Sequence, residues 1–210
     1  MRVAISGFRD AGKGTLANVL QRYGFVKMSC AAPLKDMISI MFSWERRLLE
    51  GDTDESRQWR KVPDPQWQCL AGTGIFKDDK EITPLCVLQR IGTNLIRNQV
   101  HQDFWVILFL KRVREQEEQY RKNGVILPDS TIVPYRGVVL DDARFINELH
   151  VCDYTIRIDR YDYTQEEISK MHESETEHLQ HEFHGVIQNK GTLEDFIHNI
   201  ETTIIPSLLE

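Results

Sequence analysis

The chain has 210 residues, 41% of them hydrophobic, and a formal net charge of −6. Because no stripe of lysine and arginine accompanies that charge, a nucleic-acid polymer is disfavoured as the main ligand, although a small anion needs only a local positive pocket. No apolar run of about 18 residues and no signal peptide is visible, and the four cysteines show no metal spacing. We expect a cytoplasmic protein without membrane contact, with a single domain over residues 1–210.

The first predicted element is a strand over Arg2–Ser6, which leads into the sequence GFRDAGKGT of residues 7–15 and then a helical pattern. The spacing of Gly7, Gly12 and Lys13 is typical of a loop whose backbone N–H groups surround a polyphosphate at a helix N-terminus. Lys13 is predicted to reach the terminal phosphates. A plain glycine-rich turn is the alternative.

Most such loops have Ser or Thr directly after the lysine, where the hydroxyl binds Mg²⁺. Here Gly14 occupies that position and Thr15 follows one residue later. The ending GKGT is similar to that of adenylate-kinase-like enzymes. This ending indicates that Mg²⁺ is bound mainly by water and nucleotide, while Thr15 donates a hydrogen bond to a phosphate. The candidate residues of the metal site are Thr15 and Asp142.

Strands and helices alternate along the rest of the chain. Short apolar runs predict further strands over Phe25–Met28, Gly137–Leu140, residues 154–158 and Gly185–Gln188. Helical periodicity begins at Pro33, at Thr83-Pro84 and at Thr192, where Asp195 completes a capping pattern, and the last helix is expected to end at Pro206. This alternation predicts an α/β fold with a doubly wound parallel sheet of five strands.

Two polar segments interrupt the alternation. Residues 43–82 carry Trp44, Trp59 and Trp67 among charges and lack a clean period, which favours an insertion that covers a pocket. Trp59 or Trp67 could stack there on a nucleobase, although tryptophans are core anchors by default. Residues 161–183 are rich in glutamate and histidine and are expected to form a lid. The histidine spacing is not that of a zinc site, so we expect none.

Acidic residues follow the predicted strand Gly137–Leu140. Asp141 and Asp142 stand where this kind of fold places the carboxylate of a Mg²⁺ site, at the carboxyl edge of the sheet. Capping of the following helix is the alternative interpretation. Arg144 is predicted to point into the same cleft and to bind a phosphate with two parallel hydrogen bonds.

Two further cations are candidates for an acceptor pocket. Arg90 lies within an apolar helix face beside Gly92, where an unpaired charge is too costly to retain, so it binds a phosphate or pairs with an acid such as Asp103. Lys35 lies just inside a predicted helix start and is either a phosphate ligand or a solvated surface residue.

An ordered set of motifs resembles the deoxynucleoside monophosphate kinases of tailed bacteriophages and spans nearly the whole chain. Single pieces are weak, but the order is specific. The matching segments are GFRDAGKGT at 7–15, APLK at 32–35, LLEGD at 48–52, ESRQWR at 55–60, LQRIGT at 88–93, FWV at 104–106, DARFINE at 142–148, SE at 174–175 and IQNKGTL at 187–193.

This resemblance implies a P-loop NTPase fold with a helical acceptor-binding insertion and a lid, ATP and Mg²⁺ as cofactors, and a deoxynucleoside monophosphate as acceptor. It implies the host-cell cytoplasm if the protein is viral, and a homodimer stays open. The nucleotide-binding residues it implies are Gly7, Arg9, Ala11, Gly12, Lys13, Gly14, Thr15 and Asn189. The catalytic set is Lys13, Arg90, Asp142, Arg144 and Arg160, and the acceptor set is Lys35, Trp59, Arg90 and Arg144.

Two other functions stay open on the sequence. Animal-type phosphomevalonate kinases share the loop, the Pro-Leu-Lys turn and the Asp-x-Arg element, and their acceptor is a phosphorylated isoprenoid precursor. A nucleotide-gated binding module without transfer activity is the alternative from another class. Gly14 departs from the bacteriophage family, which usually has Asp after the loop lysine.

Overall fold

The computed structural model describes residues 1–209, and a parallel sheet organises it. Seven strands are present in that range: β1 (Arg2–Ser6), β2 (Phe25–Met28), β3 (Val125–Ile126), β4 (Ile132–Val133), β5 (Gly137–Leu140), β6 (Tyr154–Asp159) and β7 (Gly185–Gln188). Five of them form one parallel sheet in the order β2-β5-β1-β6-β7, while β3 and β4 pair as a separate antiparallel hairpin. The predicted strands are all present, and β6 is one residue longer than predicted.

The central strands are continuous apolar runs because both faces of the sheet are covered. Val3, Ala4 and Ile5 of β1 have no exposed surface, and the same is true of Val139 and Leu140 of β5. Apolar side chains of the first helix and of the C-terminal helical segments pack with these strands in one core. The prediction of a doubly wound parallel sheet is confirmed.

Helical segments connect the strands. They are α1 (Lys13–Arg22), α2 (Ala32–Phe42), α3 (Asp54–Trp59), α4 (Pro84–Gln89), α5 (Phe104–Asn123), α6 (Ile146–His150), α7 (Gln165–Ser169), α8 (Glu173–Thr176), α9 (Leu193–Asn199) and α10 (Ile205–Leu209). Four turns of 3₁₀-helix occur at Arg46–Leu49, Pro65–Leu70, Gly74–Phe76 and Glu177–Gln180, and π-helix at Arg90–Val100 and Ile200–Ile204. No helix within residues 1–209 is long and apolar enough to cross a membrane.

The C-terminal helix begins where the sequence predicts and ends later. The Thr192 side chain accepts a hydrogen bond from the backbone N–H of Asp195, and the Asp195 carboxylate accepts one from the N–H of Thr192. Helical structure continues past Pro206 to Leu209, so the predicted end at Pro206 is wrong. Pro206 comes just after the π-helical turn Ile200–Ile204, where the regular i→i−4 hydrogen-bond pattern is already interrupted, so its missing N–H is tolerated there.

The chain divides into two compact units. The first contains Met1–Cys30 and the chain from Leu108 onward, and therefore the whole parallel sheet. The second is Ala31–Ile107. The insertion predicted over residues 43–82 lies within the second unit, and the predicted lid, residues 161–183, lies within the first and contains α7, α8 and the 3₁₀ turn Glu177–Gln180. The single domain, the insertion and the lid stay predictions.

Candidate functional site

The loop between β1 and α1 depends on two glycines. Gly7 has a φ of +141° and Gly12 a φ of +110°, which L side chains rarely adopt. A Cβ on Gly7 would lie 2.7 Å from the carbonyl oxygen of Ile158, and one on Gly12 would lie 2.7 Å from the Asn189 amide nitrogen. Both the conformation and the close packing therefore require glycine. With the parallel sheet, this loop makes the chain an α/β protein of the P-loop NTPase fold.

Lys13 is the first residue of α1, and its side chain folds back across the loop. Its ammonium group donates hydrogen bonds to the carbonyl oxygens of Gly7 at 2.6 Å and Phe8 at 2.8 Å. The same nitrogen lies 3.3 Å from Oδ1 of Asp142, and the side chain is only 11% exposed. A phosphate group that binds in this loop therefore meets a cation already fixed beside it.

The segment after β5 is attached to the carboxyl end of β1. The backbone N–H of Ala143 donates to the carbonyl oxygen of Ile5 at 2.9 Å. The buried Ser6 hydroxyl donates to the carbonyl oxygen of Ala143 at 2.7 Å. These two bonds place the acidic segment beside the loop, as the carboxyl edge of a parallel sheet predicts.

Asp141 and Asp142 face different partners. Asp142 approaches Lys13 through Oδ1 and accepts a 2.8 Å hydrogen bond from Nε of Arg144 through Oδ2. The Asp141 carboxylate lies 3.3 Å from the Lys27 ammonium on β2. Of the two adjacent acids, Asp142 is therefore the one that contacts the loop lysine.

The start of α6 receives its cap from Glu148. Oε2 of this buried side chain accepts hydrogen bonds from the backbone N–H groups of Arg144 at 2.8 Å and Phe145 at 3.2 Å. The N–H of Ile146, the first residue of α6, donates to Oε1 of Glu177 at 3.1 Å. A capping role for Asp141 or Asp142 stays a prediction.

Arg144 lies between two carboxylates. Its Nε donates to Asp142, and its Nη1 donates to Oε1 of Glu175. Burial disfavours the guanidinium charge, but these two acids raise the pKa of Arg144 above the ordinary arginine value. Glu175 Oε1 also lies 3.3 Å from Nη2 of Arg9. Ion pairs therefore run without interruption from Lys13 through Asp142, Arg144 and Glu175 to Arg9, with three cations and two anions.

Asn189 and Arg160 support the loop backbone. The Asn189 side chain is 8% exposed, and its amide donates to the carbonyl oxygen of Ala11 at 2.7 Å. This bond gives Asn189 a supporting role, and its contact with adenine stays a prediction. Exposed Arg160 donates to the carbonyl oxygen of Asp10 at 3.0 Å.

The oxygen ligands beside the loop suit Mg²⁺ only together with other ligands. Thr15 supplies a half-buried hydroxyl in the first turn of α1, and Asp142 supplies a carboxylate. Within residues 1–209 no group of three or more His, Cys, Asp or Glu residues is arranged to bind a metal ion. Mg²⁺ in phosphate-transfer sites is commonly bound by one or two carboxylates plus waters and phosphates. The residues present fit that arrangement.

Arg90 belongs to the second unit, where it pairs with Asp79. Its Nε and Nη2 donate to the two carboxylate oxygens of Asp79 at 2.7 and 2.9 Å, so the acid that neutralises it is not Asp103. The Leu34 side chain packs closely on the backbone at Gly92, where a Cβ would lie 2.5 Å from a methyl carbon of Leu34. Phosphate binding by Arg90 stays a prediction.

The other two acceptor candidates also have partners in the second unit. The Lys35 ammonium forms an ion pair with Glu50. The half-buried Trp59 ring packs edge-on against Trp44, with ring centroids 5.8 Å apart. Trp44 stacks in turn on Phe42 at 4.6 Å. The aromatic residues of the insertion thus form a cluster, and stacking of Trp59 on a base stays a prediction.

Two residues that contact the loop have no role assigned in the sequence analysis: Glu175, which appears there only within the motif SE at 174–175, and His178. The His178 side chain is 2% exposed, and its ring lies edge-on to Phe8 with a centroid distance of 5.5 Å. Burial, together with the charges of Lys13 and Arg144, lowers the pKa of His178 to about 4. Its imidazole is therefore neutral at physiological pH. Only its position in the glutamate-rich segment distinguishes it in the sequence.

Replacing His178 by Phe is expected to make the fold less sensitive to acid. The unfolded chain, with an ordinary histidine pKa of 6.5, binds a proton more readily than the folded chain, whose His178 has a pKa of about 4. Stability from this group is therefore present above pH 6.5 and is lost as the pH falls toward 4. From about pH 7 to about pH 5 the loss amounts to about 2 kcal/mol. Urea unfolding of both proteins at the two pH values measures it, and equal losses would contradict the prediction.

No protein-family model matches the sequence, and no curated protein matches it significantly. Among solved structures, TT1252 from Thermus thermophilus is 15% identical with a TM-score of 0.48, and the similarity covers 99% of this chain and 97% of that one. Dephospho-CoA kinase from Campylobacter jejuni is 14% identical with a TM-score of 0.43, covering 99% of this chain and 96% of that one. Similarity at this level carries no conclusion about activity.

Proposed function

We propose that the chain is an ATP-dependent kinase that transfers the γ-phosphoryl group of ATP to a deoxynucleoside monophosphate, giving the diphosphate and ADP. The observation that supports phosphate transfer is the connection of Lys13, in the glycine-framed loop, through Asp142 to Arg144. The ordered motifs shared with bacteriophage deoxynucleoside monophosphate kinases select the acceptor.

The chemistry follows from charge. Both substrates are anionic, and the transferred phosphoryl group spreads negative charge over its equatorial oxygens, so catalysis consists mainly of positioning and neutralisation. The loop N–H groups and Lys13 bind the donor phosphates. Arg144 contacts the transferred group, with Arg160 beside the loop as a further cation. The attacking phosphate oxygen is already ionised, so a general base is not required.

Asp142 and Thr15 are the residues that would bind Mg²⁺ or its waters. When bound, Mg²⁺ neutralises charge on the nucleotide phosphates. The Asp142 carboxylate lies beside both Lys13 and Arg144, so it also orients these two cations.

The acceptor set contains Arg144 and three residues of the second unit, Arg90, Lys35 and Trp59. Each of these three residues has a partner of its own: the carboxylate of Asp79 for Arg90, that of Glu50 for Lys35, and the Trp44 ring for Trp59. Charged partners hold long side chains in fixed orientations, which lowers the entropy cost of binding a phosphate.

A panel of acceptors tests the proposal. The protein is incubated with ATP, Mg²⁺ and one of dTMP, dGMP, dCMP, dAMP or phosphomevalonate, and the products are separated. We expect a diphosphate from at least one deoxynucleotide and none from phosphomevalonate, because a flat base gains more than a flexible aliphatic acid from an aromatic contact such as Trp59. Transfer to phosphomevalonate alone would support the isoprenoid kinase alternative. ATP binding without transfer to any acceptor would support the binding module.

Substitution by lysine tests whether Arg144 and Arg90 bind phosphate or act only as surface cations. Arg144→Lys and Arg90→Lys are each expected to lower kcat/KM by at least about tenfold despite the retained charge, because lysine lacks the planar fork that binds two oxygens. ATP affinity measured without acceptor should stay nearly unchanged. Loss of ATP binding would instead place these arginines in the donor site. Arg114→Lys, a change of an exposed arginine on α5, is the matched control.

A further inference from the structure

Glu175 contacts two arginines of the site, Arg9 in the loop and Arg144 in the segment after β5, although it lies in neither of these segments. Its Oε1 accepts from Nη1 of Arg144 and lies 3.3 Å from Nη2 of Arg9. The side chain is only 12% exposed. One largely buried carboxylate in α8 therefore joins two cations that are far apart in the sequence.

The contacts of Arg144 define how its guanidinium is oriented. Nε donates to Asp142, while Nη1 donates to Glu175 and, at 3.5 Å, to the carbonyl oxygen of Ser174. Two carboxylates on different nitrogens fix the plane of the group. The third nitrogen, Nη2, takes part in neither of these bonds and can donate to another acceptor.

We propose that Glu175 is a positioning residue, which orients Arg9 for contact with the phosphates of the bound nucleotide and Arg144 for contact with the transferred phosphoryl group. This inference rests on the proposed kinase function. Arginine side chains lose about 2 kcal/mol of rotamer entropy when they are fixed, and an arginine that is already oriented loses less of it on binding. With Lys13 and Asp142 included, the connected ion pairs contain three cations and two anions, and their net charge of +1 still attracts an anion.

The ionisation of Glu175 agrees with this role. Burial alone raises the pKa of a carboxyl group, but Arg144 and Arg9 lower the pKa of Glu175 below its usual value. Glu175 is therefore charged at neutral pH and pairs with both arginines throughout the physiological range.

The test uses Glu175→Gln, which keeps the shape and removes the charge, with Glu173→Gln as the control on the exposed side of the same helix. Circular dichroism and thermal unfolding first establish that each variant is folded. NMR relaxation of the arginine Nε–Hε groups then measures side-chain mobility without any substrate. We expect the Arg9 and Arg144 signals to become more mobile in E175Q and to stay unchanged in E173Q. Unchanged mobility in folded E175Q would overturn the proposal.

Kinetics provide the second measurement. E175Q is expected to lower kcat about 10- to 100-fold with a smaller change in KM for ATP, because a misplaced arginine affects the transferred group most. In a background with both Arg9→Ala and Arg144→Ala the same substitution should change kcat by less than about twofold, since the two residues through which it acts are gone. If the Glu175 substitution lowers kcat by the same factor with and without the arginines, the positioning role is contradicted.

The two proposals can fail separately. If the wild type phosphorylates no deoxynucleotide, the proposed function fails, while the arginine mobility still decides the role of Glu175. If E175Q does not fold, Glu175→Asp keeps the charge and shortens the side chain, and the same mobility and kcat measurements apply to it. Wild-type mobility and kcat in E175D would then overturn the proposal.

Discussion

Replacing Lys13 by Ala is expected to lower kcat at least about 100-fold and to leave the protein folded. Lys13 is the cation that the loop itself places beside its carbonyl oxygens, 2.6 Å from Gly7 and 2.8 Å from Phe8. Removing one preorganised group that neutralises transition-state charge typically costs two to three orders of magnitude in rate, about 10²–10³. The lost hydrogen bonds should reduce the free energy of unfolding by only about 1–2 kcal/mol.

Lys27→Ala is the matched control for this experiment. Lys27 pairs with Asp141 at 3.3 Å, the same separation as Lys13 from Asp142, but it extends from β2 rather than from the loop. Turnover of K27A should therefore stay within about twofold of wild type, because the Lys27 side chain is 35% exposed and contacts neither the loop nor Asp142. A folded K13A protein with turnover within about tenfold of wild type would exclude Lys13 from the chemistry.

The sheet and the phosphate loop could be predicted because each depends on local sequence. A buried parallel strand is a short apolar run, and the residues of β1 and β5 show it clearly. The spacing of the glycines predicts the loop, since positive φ angles and close packing both require glycine at positions 7 and 12. For the same reason, capping of the last helix by Thr192 could be predicted from the residues alone.

The partners of the charged residues could not be predicted, because they depend on contacts between distant parts of the chain. Glu175 lies 31 residues beyond Arg144 and 166 beyond Arg9. The motif SE at 174–175 marks Glu175 within the glutamate-rich segment, but it does not show that this carboxylate turns inward or which cations it contacts. Likewise, a half-buried arginine implies an acid nearby but does not identify it, and the partner of Arg90 is Asp79 rather than Asp103.

Asn189 illustrates the same limit at the level of a single side chain. Its position between β7 and α9 indicates a loop at the carboxyl edge of the sheet, where a nucleotide base could lie. The sequence does not show that its amide binds the backbone of Ala11, 178 residues away. Sequence patterns therefore predict which edge of the sheet a residue occupies better than they predict which group it contacts there.

Asp142→Asn is expected to lower kcat about 10- to 100-fold and to raise the Mg²⁺ concentration needed for half-maximal activity. Asp142 contacts Lys13 with one carboxylate oxygen and Arg144 with the other. The asparagine amide has the size of the carboxylate, but its NH₂ group is a hydrogen-bond donor and would face Lys13 or Arg144. Neither of these cations has a lone pair to accept a hydrogen bond. Asparagine also loses the charge that favours a divalent ion or its waters.

Asp141→Asn is the control, because it makes the same change one residue away in a carboxylate that pairs with Lys27 instead. Mg²⁺ titrations of both variants at saturating ATP separate the two acids, and thermal unfolding shows whether either change acts through stability. A larger effect in D141N would move the metal-site carboxylate to the Lys27 side. Equal and small effects in the two variants would remove both acids from the chemistry. A loss of activity confined to D142N, with its Mg²⁺ requirement raised, is the result expected if the acid nearest the loop lysine also serves the metal.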